Sequence, residues 1–269
     1  MSIITVEHVS KNYGVFQAVN DVSFEIKQGD IVGFLGKNGA GKTTLMRIIT
    51  SFLAASSGKV FIDGNDMTKH SLMVRKNIGY LPETPPLYVN MTVFQYLKFA
   101  AEIKEVSSKR LKIQIAKVLE ECNLADVKFK TISTLSKGYK QRVGIAQAII
   151  HDPKLLILDE PTSGLDPMQT QQVLALIHNQ REQRTVLLST HSLIEIEKIA
   201  QRILMIKAGQ LIIDEPLQML LNINKNKAET QHNQFTASSL EQVFLNAHQE
   251  PLPELIPELI PERNSSGDL

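Results

Sequence analysis

The apolar run Ile31-Val32-Gly33-Phe34-Leu35 passes without a spacer into Gly36-Lys37-Asn38-Gly39-Ala40-Gly41-Lys42-Thr43-Thr44, and that segment leads directly into Leu45-Met46-Arg47-Ile48-Ile49. A strand, a glycine-rich loop and an apolar-periodic helix in immediate succession belong to an α/β sheet. The loop matches G-x-x-x-x-G-K-[ST] in the strand-to-helix setting that this pattern requires. Its glycines let backbone N–H groups cradle phosphates, Lys42 offers a positive charge at the β- and γ-phosphates, and the Thr43 hydroxyl suits Mg²⁺. The expectation is a chain that binds a nucleoside triphosphate.

A second run, Leu155-Leu156-Ile157-Leu158, follows Pro153 and ends in Asp159-Glu160. Uninterrupted apolar residues over strand length read as a parallel strand buried on both faces, with its two acids emerging at the carboxyl end, where such sheets bind ligands. Successive side chains point to opposite sides, so the two carboxylates are free to do different work. Upstream, Leu135-Ser136-Lys137-Gly138-Tyr139 precedes the helical spacing Val143, Ala146, Ile149, Ile150. Ser136 and Gly138 therefore occupy a helix N-terminus, a ready site for an anion.

In their order and spacing these segments resemble the ATP-binding subunit of an ABC transporter, over roughly positions 3 to 215 and more weakly to about 247. The resemblance implies that Tyr13 stacks on adenine and that Gly36, Lys37, Asn38, Gly39, Ala40, Gly41, Lys42, Thr43 and Thr44 form the phosphate loop. Glu83, in Ile78-Gly79-Tyr80-Leu81-Pro82-Glu83, stands where the family usually has a Gln that touches Mg²⁺. Leu135 to Tyr139 match the family's signature segment, Asp159 the acid associated with Mg²⁺, and Glu160 the general base. Ser163-Gly164-Leu165-Asp166 matches the loop that faces a second subunit, and His191 the γ-phosphate contact. Catalysis thus falls to Glu160, His191 and Lys42, metal ligation to Thr43, Glu83 and Asp159, and phosphate contact across a dimer to Ser136, Gly138 and Asp166. Three positions depart from the family's pattern: Lys137 replaces a Gly and Tyr139 a Gln in the signature, and Glu83 replaces the usual Gln.

The resemblance further implies ATP and Mg²⁺, a second copy or a homologous ATPase subunit, and a separate membrane permease, of exporter type by Leu81-Pro82-Glu83 and Ser239-Leu240-Glu241-Gln242-Val243-Phe244. A soluble ABC ATPase serving cluster assembly stays open as a second reading. A GTP switch is disfavoured because no Asn-Lys-x-Asp motif occurs. Basic and acidic residues nearly cancel, 29 against 28, so a nucleic-acid partner is not expected. No apolar run reaches the roughly 18 residues of a membrane span, and the first residues lack a leader pattern; the expected place is the cytoplasm, on the inner membrane face through the permease. Cys122 is the one cysteine, read as a packed thiol.

The expected fold is α/β: a P-loop ABC ATPase with a mixed central sheet, an antiparallel β subdomain from residues 3 to 30, and a helical signature subdomain at about 88–150. Apolar residues at helical spacing (Val93, Tyr96, Leu97, Ala100; Leu111, Ile115, Val118, Leu119) support the last. The basic run Lys109 to Lys117 reads as a solvated helix face. The ATPase domain is expected over 1–216, a short helical extension over 217–248, and a Pro-rich disordered tail over 249–269 that repeats Pro-Glu-Leu-Ile.

Overall fold

The computed structural model describes residues 1–222 and 239–249. Strands β1 (Ser2–Tyr13) and β2 (Phe16–Lys27) form a hairpin, and β4 (Ser57–Ile62) with β5 (Asn65–Asp66) extends it into an antiparallel sheet of order β2-β1-β4-β5. The second sheet holds β3 (Ile31–Leu35), β6 (Ile78–Leu81), β7 (Leu155–Asp159), β8 (Thr185–Ser189), β9 (Arg202–Lys207) and β10 (Gln210–Pro216), in the order β10-β9-β3-β8-β7-β6. All its pairings are parallel except the β9–β10 hairpin, so the sheet is mixed, as the sequence implied.

Every residue of β3, β7 and β8 is buried. Their alternating side chains serve two separate cores. Leu156 and Leu158 of β7 join the core shared with the helical region, while Leu155 and Ile157 join the core between the two sheets, which also takes Leu45, Met46, Ile48 and Ile49 of α1 (Lys42–Ile49). This explains the uninterrupted apolar runs: a strand covered on both faces has no solvent side on which a polar residue could alternate.

The helical region contains α3 (Val93–Ile103), α4 (Ser108–Glu121) and α5 (Lys137–Ile149). Helix α3 starts at a reciprocal cap, with Thr92 accepting from the Gln95 backbone and the Gln95 side chain from that of Thr92. It buries Val93, Tyr96, Leu97, Ala100 and Ala101, one stripe at helical spacing. Helix α4 buries Ile115, Val118 and Leu119 and leaves Lys109, Arg110 and Lys112 exposed, as read from the sequence. Cys122 caps its end fully buried, where burial pushes the thiol pKa up and keeps it unreactive.

The antiparallel sheet is larger than residues 3–30 suggested, because β4 and β5 join it. Only Val60 and Ile62 of β4 are buried and the strand opens with Ser57-Gly58, so its two-residue period is too short to stand out. Helix α2 (Ser71–Lys76) was invisible for a similar reason, with one buried residue, Val74. Helices α6 (Pro167–Asn179) and α7 (Leu193–Ile199) follow β7 and β8 and cover the sheet. Residues 217–222 are helical, and α8 (Ser239–Gln249) packs against α7 with Leu240 buried. The Pro-Glu-Leu-Ile repeat lies outside the described residues.

Two hydrogen bonds tie the sheets together at the β9–β10 turn. The Asn20 N–H donates to the Gly209 carbonyl at 2.9 Å, and the Gly209 N–H donates to the Ala40 carbonyl in the phosphate loop at 2.9 Å. Because Leu156 sits wholly inside the core, Leu156→Ala should lower unfolding free energy by about 3 kcal/mol, the usual cost of an unfilled leucine cavity. Equilibrium urea denaturation measures it as a lower midpoint at unchanged slope.

Candidate active site

The carboxyl ends of β3, β8, β7 and β6 lie side by side on one edge of the parallel sheet. Each is followed by a segment singled out in the sequence. After β3 the chain turns through Gly36 to Gly41, and two of these glycines have no substitute. A Cβ on Gly36 would stand 2.6 Å from the Ile206 carbonyl oxygen, and Gly41, at φ 110°, would place one 2.5 Å from that of Ala18. Lys42 opens α1 almost fully buried, and its Nζ donates back to the carbonyls of Gly36 at 2.6 Å and Lys37 at 3.3 Å. Burial pushes its pKa below the ordinary lysine range, opposed by the nearby carboxylates of Glu160, Asp159 and Glu83, in that order.

The ends of β7 and β8 are cross-linked through Ser189. Its Oγ donates to Asp159 Oδ1 at 2.6 Å and accepts from the Glu160 N–H at 3.0 Å; that N–H also reaches the Ser189 carbonyl at 3.2 Å. One hydroxyl thereby fixes both acids. Glu160 itself lies at φ 49°, a left-handed conformation that costs a glutamate on the order of 1 kcal/mol and persists only where the surroundings enforce it. Its carboxylate, with the side chain 12% exposed, meets His191 Nδ1 at 2.8 Å.

A cavity of about 550 Å³ opens above these groups, lined by Tyr13, Phe16, Ala18, Asn38, Gly39, Gly41, Lys42, Thr43, Thr44, Glu83, Asp159, Glu160, Ser163 and His191. Most of the expected residues therefore meet in one place. Gly36 and Ala40 lie buried, and Lys37 is exposed. Ser136, Gly138 and Asp166 do not line the cavity. Ser136 caps α5, accepting from the Tyr139 N–H at 3.4 Å, and Asp166 caps α6, accepting from the Gln169 N–H at 2.9 Å.

Residues 19–163 match the family model described as ABC transporter. The chain is 38% identical to the bacitracin transport ATP-binding protein BcrA of Bacillus licheniformis, across 86% of this chain and 75% of that protein. The chain belongs to the ABC transporter family. It is also 34% identical to the lantibiotic transport ATP-binding protein SrtF of Streptococcus pyogenes, over 79% of this chain and 90% of that one. A solved ATP-binding subunit of an ABC transporter superposes with a TM-score of 0.79 at 27% identity, covering 92% of this chain and all of the other. As a member of the family, the chain binds and hydrolyses ATP as a transporter's nucleotide-binding subunit. No described helix is long and apolar enough to cross a membrane.

Within this ABC subunit, two departures from the family's signature have a structural setting. The Tyr139 hydroxyl donates to Asp126 at 2.7 Å and its ring lies under the Arg142 guanidinium, 4.1 Å from the ring centre, so this side chain ties α5 to its own subdomain. Lys137 lies against the loop after β7, its ammonium filling the space that a Cβ on Gly164 would need. The third departure, Glu83, adds an exposed carboxylate to the cavity wall.

Phe16 and Ser189 were not foreseen. Phe16 is the cross-strand partner of Tyr13, and the turn read at Tyr13-Gly14 could have placed it opposite. Ser189 ends the strand Thr185–Ser189 with no local mark that sets it apart. Ser189→Ala should leave ATP binding in place while lowering kcat about tenfold, since Asp159 loses its hydroxyl partner and the Glu160 N–H is left with the Ser189 carbonyl, and should lower stability by about 1–2 kcal/mol. Steady-state ATPase kinetics and thermal unfolding test both parts.

Proposed function

We propose that two copies of this chain, or one copy and a homologous subunit, close head to tail around two ATP molecules with Mg²⁺, and that closure and hydrolysis drive a separate membrane permease of exporter type. The observation that carries this reading is the split of the nucleotide-handling groups. Lys42, Asp159, Glu160 and His191 share one cavity, whereas Ser136 and Gly138, at the N-terminus of α5, lie outside it. A second polypeptide can bring that helix end to phosphates held above Lys42, and ATP bound by both copies then favours the closed dimer.

The donor set fits Mg²⁺. Thr43, Asp159 and Glu83 present oxygen only, and among the described residues no cluster of three or more His, Cys, Asp or Glu side chains forms a protein-only cage. Mg²⁺ characteristically relies on one or two carboxylates plus phosphates and water. When bound, it supplies charge neutralisation at the β- and γ-phosphates. Lys42 adds to that neutralisation, Glu160 accepts the proton of the attacking water, and His191 holds Glu160 while facing the γ-phosphate.

For the permease, a groove of about 430 Å³ beside Glu83 offers Pro86, Leu87, Tyr88, Tyr96, Phe99 and Ile103. Tyr88 is exposed, edge-on to Phe99 with ring centres 5.2 Å apart, which suits a short apolar helix of a partner. Phe94 packs with Phe129, their ring centres 6.1 Å apart. This surface and the transport relatives support a working position on the cytoplasmic face of the membrane. The transport relatives favour this reading over the soluble-assembly one.

Glu160→Gln should retain ATP binding and lose about 10²- to 10⁴-fold in turnover. Affinity recovery of that variant with ATP and Mg²⁺ from solubilised membranes should yield a polytopic membrane protein in near-equal amount; recovery of soluble partners alone overturns the exporter reading. Tyr88→Ala should reduce that recovery while leaving basal ATPase activity within about twofold.

A further inference from the structure

Two hydrogen-bonded pairs across the ends of β7 and β8 are part of the site already described: Asp159 with Ser189, and Glu160 with His191. A third pair lies one step further out. The Thr162 hydroxyl donates to Glu195 Oε2 at 2.5 Å. Thr162 is buried two residues beyond Glu160, and Glu195 is half-buried in the first turn of α7, four residues beyond His191. Neither residue lines the nucleotide cavity.

An acid in the first turn of a helix is ordinarily accounted for by the helix dipole, and such an acid works well when it is solvated. Glu195 instead takes a buried hydroxyl from the neighbouring loop as its partner. Both connected segments need outside support. Glu160 sits at φ 49°, a conformation that its own chain does not favour. The loop that follows closes with the Ser163 N–H on the Glu160 carbonyl at 3.1 Å and the Leu165 N–H on that of Thr162 at 3.2 Å. On the other side, Ser192 precedes α7 without a side-chain cap, and its N–H goes back to the Thr190 hydroxyl at 3.0 Å. His191 is largely exposed and meets the Glu160 carboxylate through Nδ1.

Helix α7 is the fixed member of this arrangement. Ile196 is fully buried against Gly33 of β3, where a Cβ would clash with it, and Glu197 Oε1 accepts from the Leu240 N–H of α8 at 3.1 Å. The Glu195 carboxylate, one residue before these anchors, has a fixed position to offer Thr162.

We propose that Glu195 is a positioning residue for ATP hydrolysis, holding the loop of Glu160 and the segment of His191 in mutual alignment through the Thr162 hydroxyl. The inference rests on the assignment of Glu160 and His191 to catalysis. The pair it invokes lies outside the lining of the nucleotide cavity, so it should act on kcat and spare ATP affinity.

The test uses the full chain and steady-state ATPase kinetics. Glu195→Ala and Thr162→Val should each lower kcat about 10- to 100-fold, the scale on which misplaced catalytic groups act, with KM for ATP within about twofold of the parent. Glu195→Gln keeps an acceptor oxygen at the same reach and should restore kcat to within about threefold. The double variant Glu195→Ala with Thr162→Val should be no slower than the slower single variant, because both remove one interaction. Unchanged kcat in Glu195→Ala, multiplying losses in the double variant, or a loss in Glu195→Gln equal to that in Glu195→Ala overturns the proposal. Glu160→Gln, measured alongside, separates the two levels: if it retains turnover the catalytic assignment itself fails, and if it loses turnover while Glu195→Ala does not, only the brace is wrong.

Discussion

Parallel strands covered on both faces constrain everything else in this molecule. In β3, β7 and β8 no side chain along the strand reaches solvent, so chemistry is confined to the strand ends. Because these strands run parallel and β3, β8 and β7 are neighbours, their carboxyl ends deliver the phosphate loop, His191 and the two acids to one edge without any long-range fitting. The cost is that charged groups emerge beside a dry core. The fold answers with short internal hydrogen bonds: Lys42 to its own loop carbonyls, Asp159 to Ser189, and Glu160 to His191. Each group is oriented by protein partners, and such preorganisation is where electrostatic catalysis draws most of its advantage.

The readable parts of the sequence were those in which one physical demand governs several consecutive residues. Burial on two faces wrote Leu155 to Leu158, and close backbone approach wrote Gly36 and Gly41. Helical spacing wrote the buried stripes of α3 and α4. What escaped was set by pairing across the chain. Nothing local distinguishes Ser189 from any serine ending a strand; its importance comes from β7 lying alongside β8. Likewise β4 owes its existence to β1, and its own residues carry too weak a period to announce it. Ser136, Gly138 and Asp166 were legible as residues, but their place across a dimer was implied by the family resemblance alone, since no sequence spacing states which side of a subdomain faces which.

The departures from the family's signature divide along similar lines. Tyr139 is explained within the chain, through Asp126 and Arg142, and so takes the place of a Gln by serving the packing of the helical region. Lys137 touches the loop of Gly164 and brings charge to a helix start that has no acid in its first turn. An isolated cation there is unfavourable to the helix and favourable to any anion that approaches it.

The turn at Gly209 has a consequence for which ligands can be held. Its carbonyl takes the Asn20 N–H of the antiparallel sheet and its own N–H goes to Ala40 in the phosphate loop. The hairpin bearing Tyr13 and Phe16 is thereby locked to the loop bearing Lys42, and the span between an aromatic wall and a phosphate cradle becomes a fixed length. Such a pair of end stops works as a ruler. On the proposed reading, a nucleotide is measured from its planar base to its terminal phosphates, and one shorter by a phosphate leaves one stop untouched even when it fills the other.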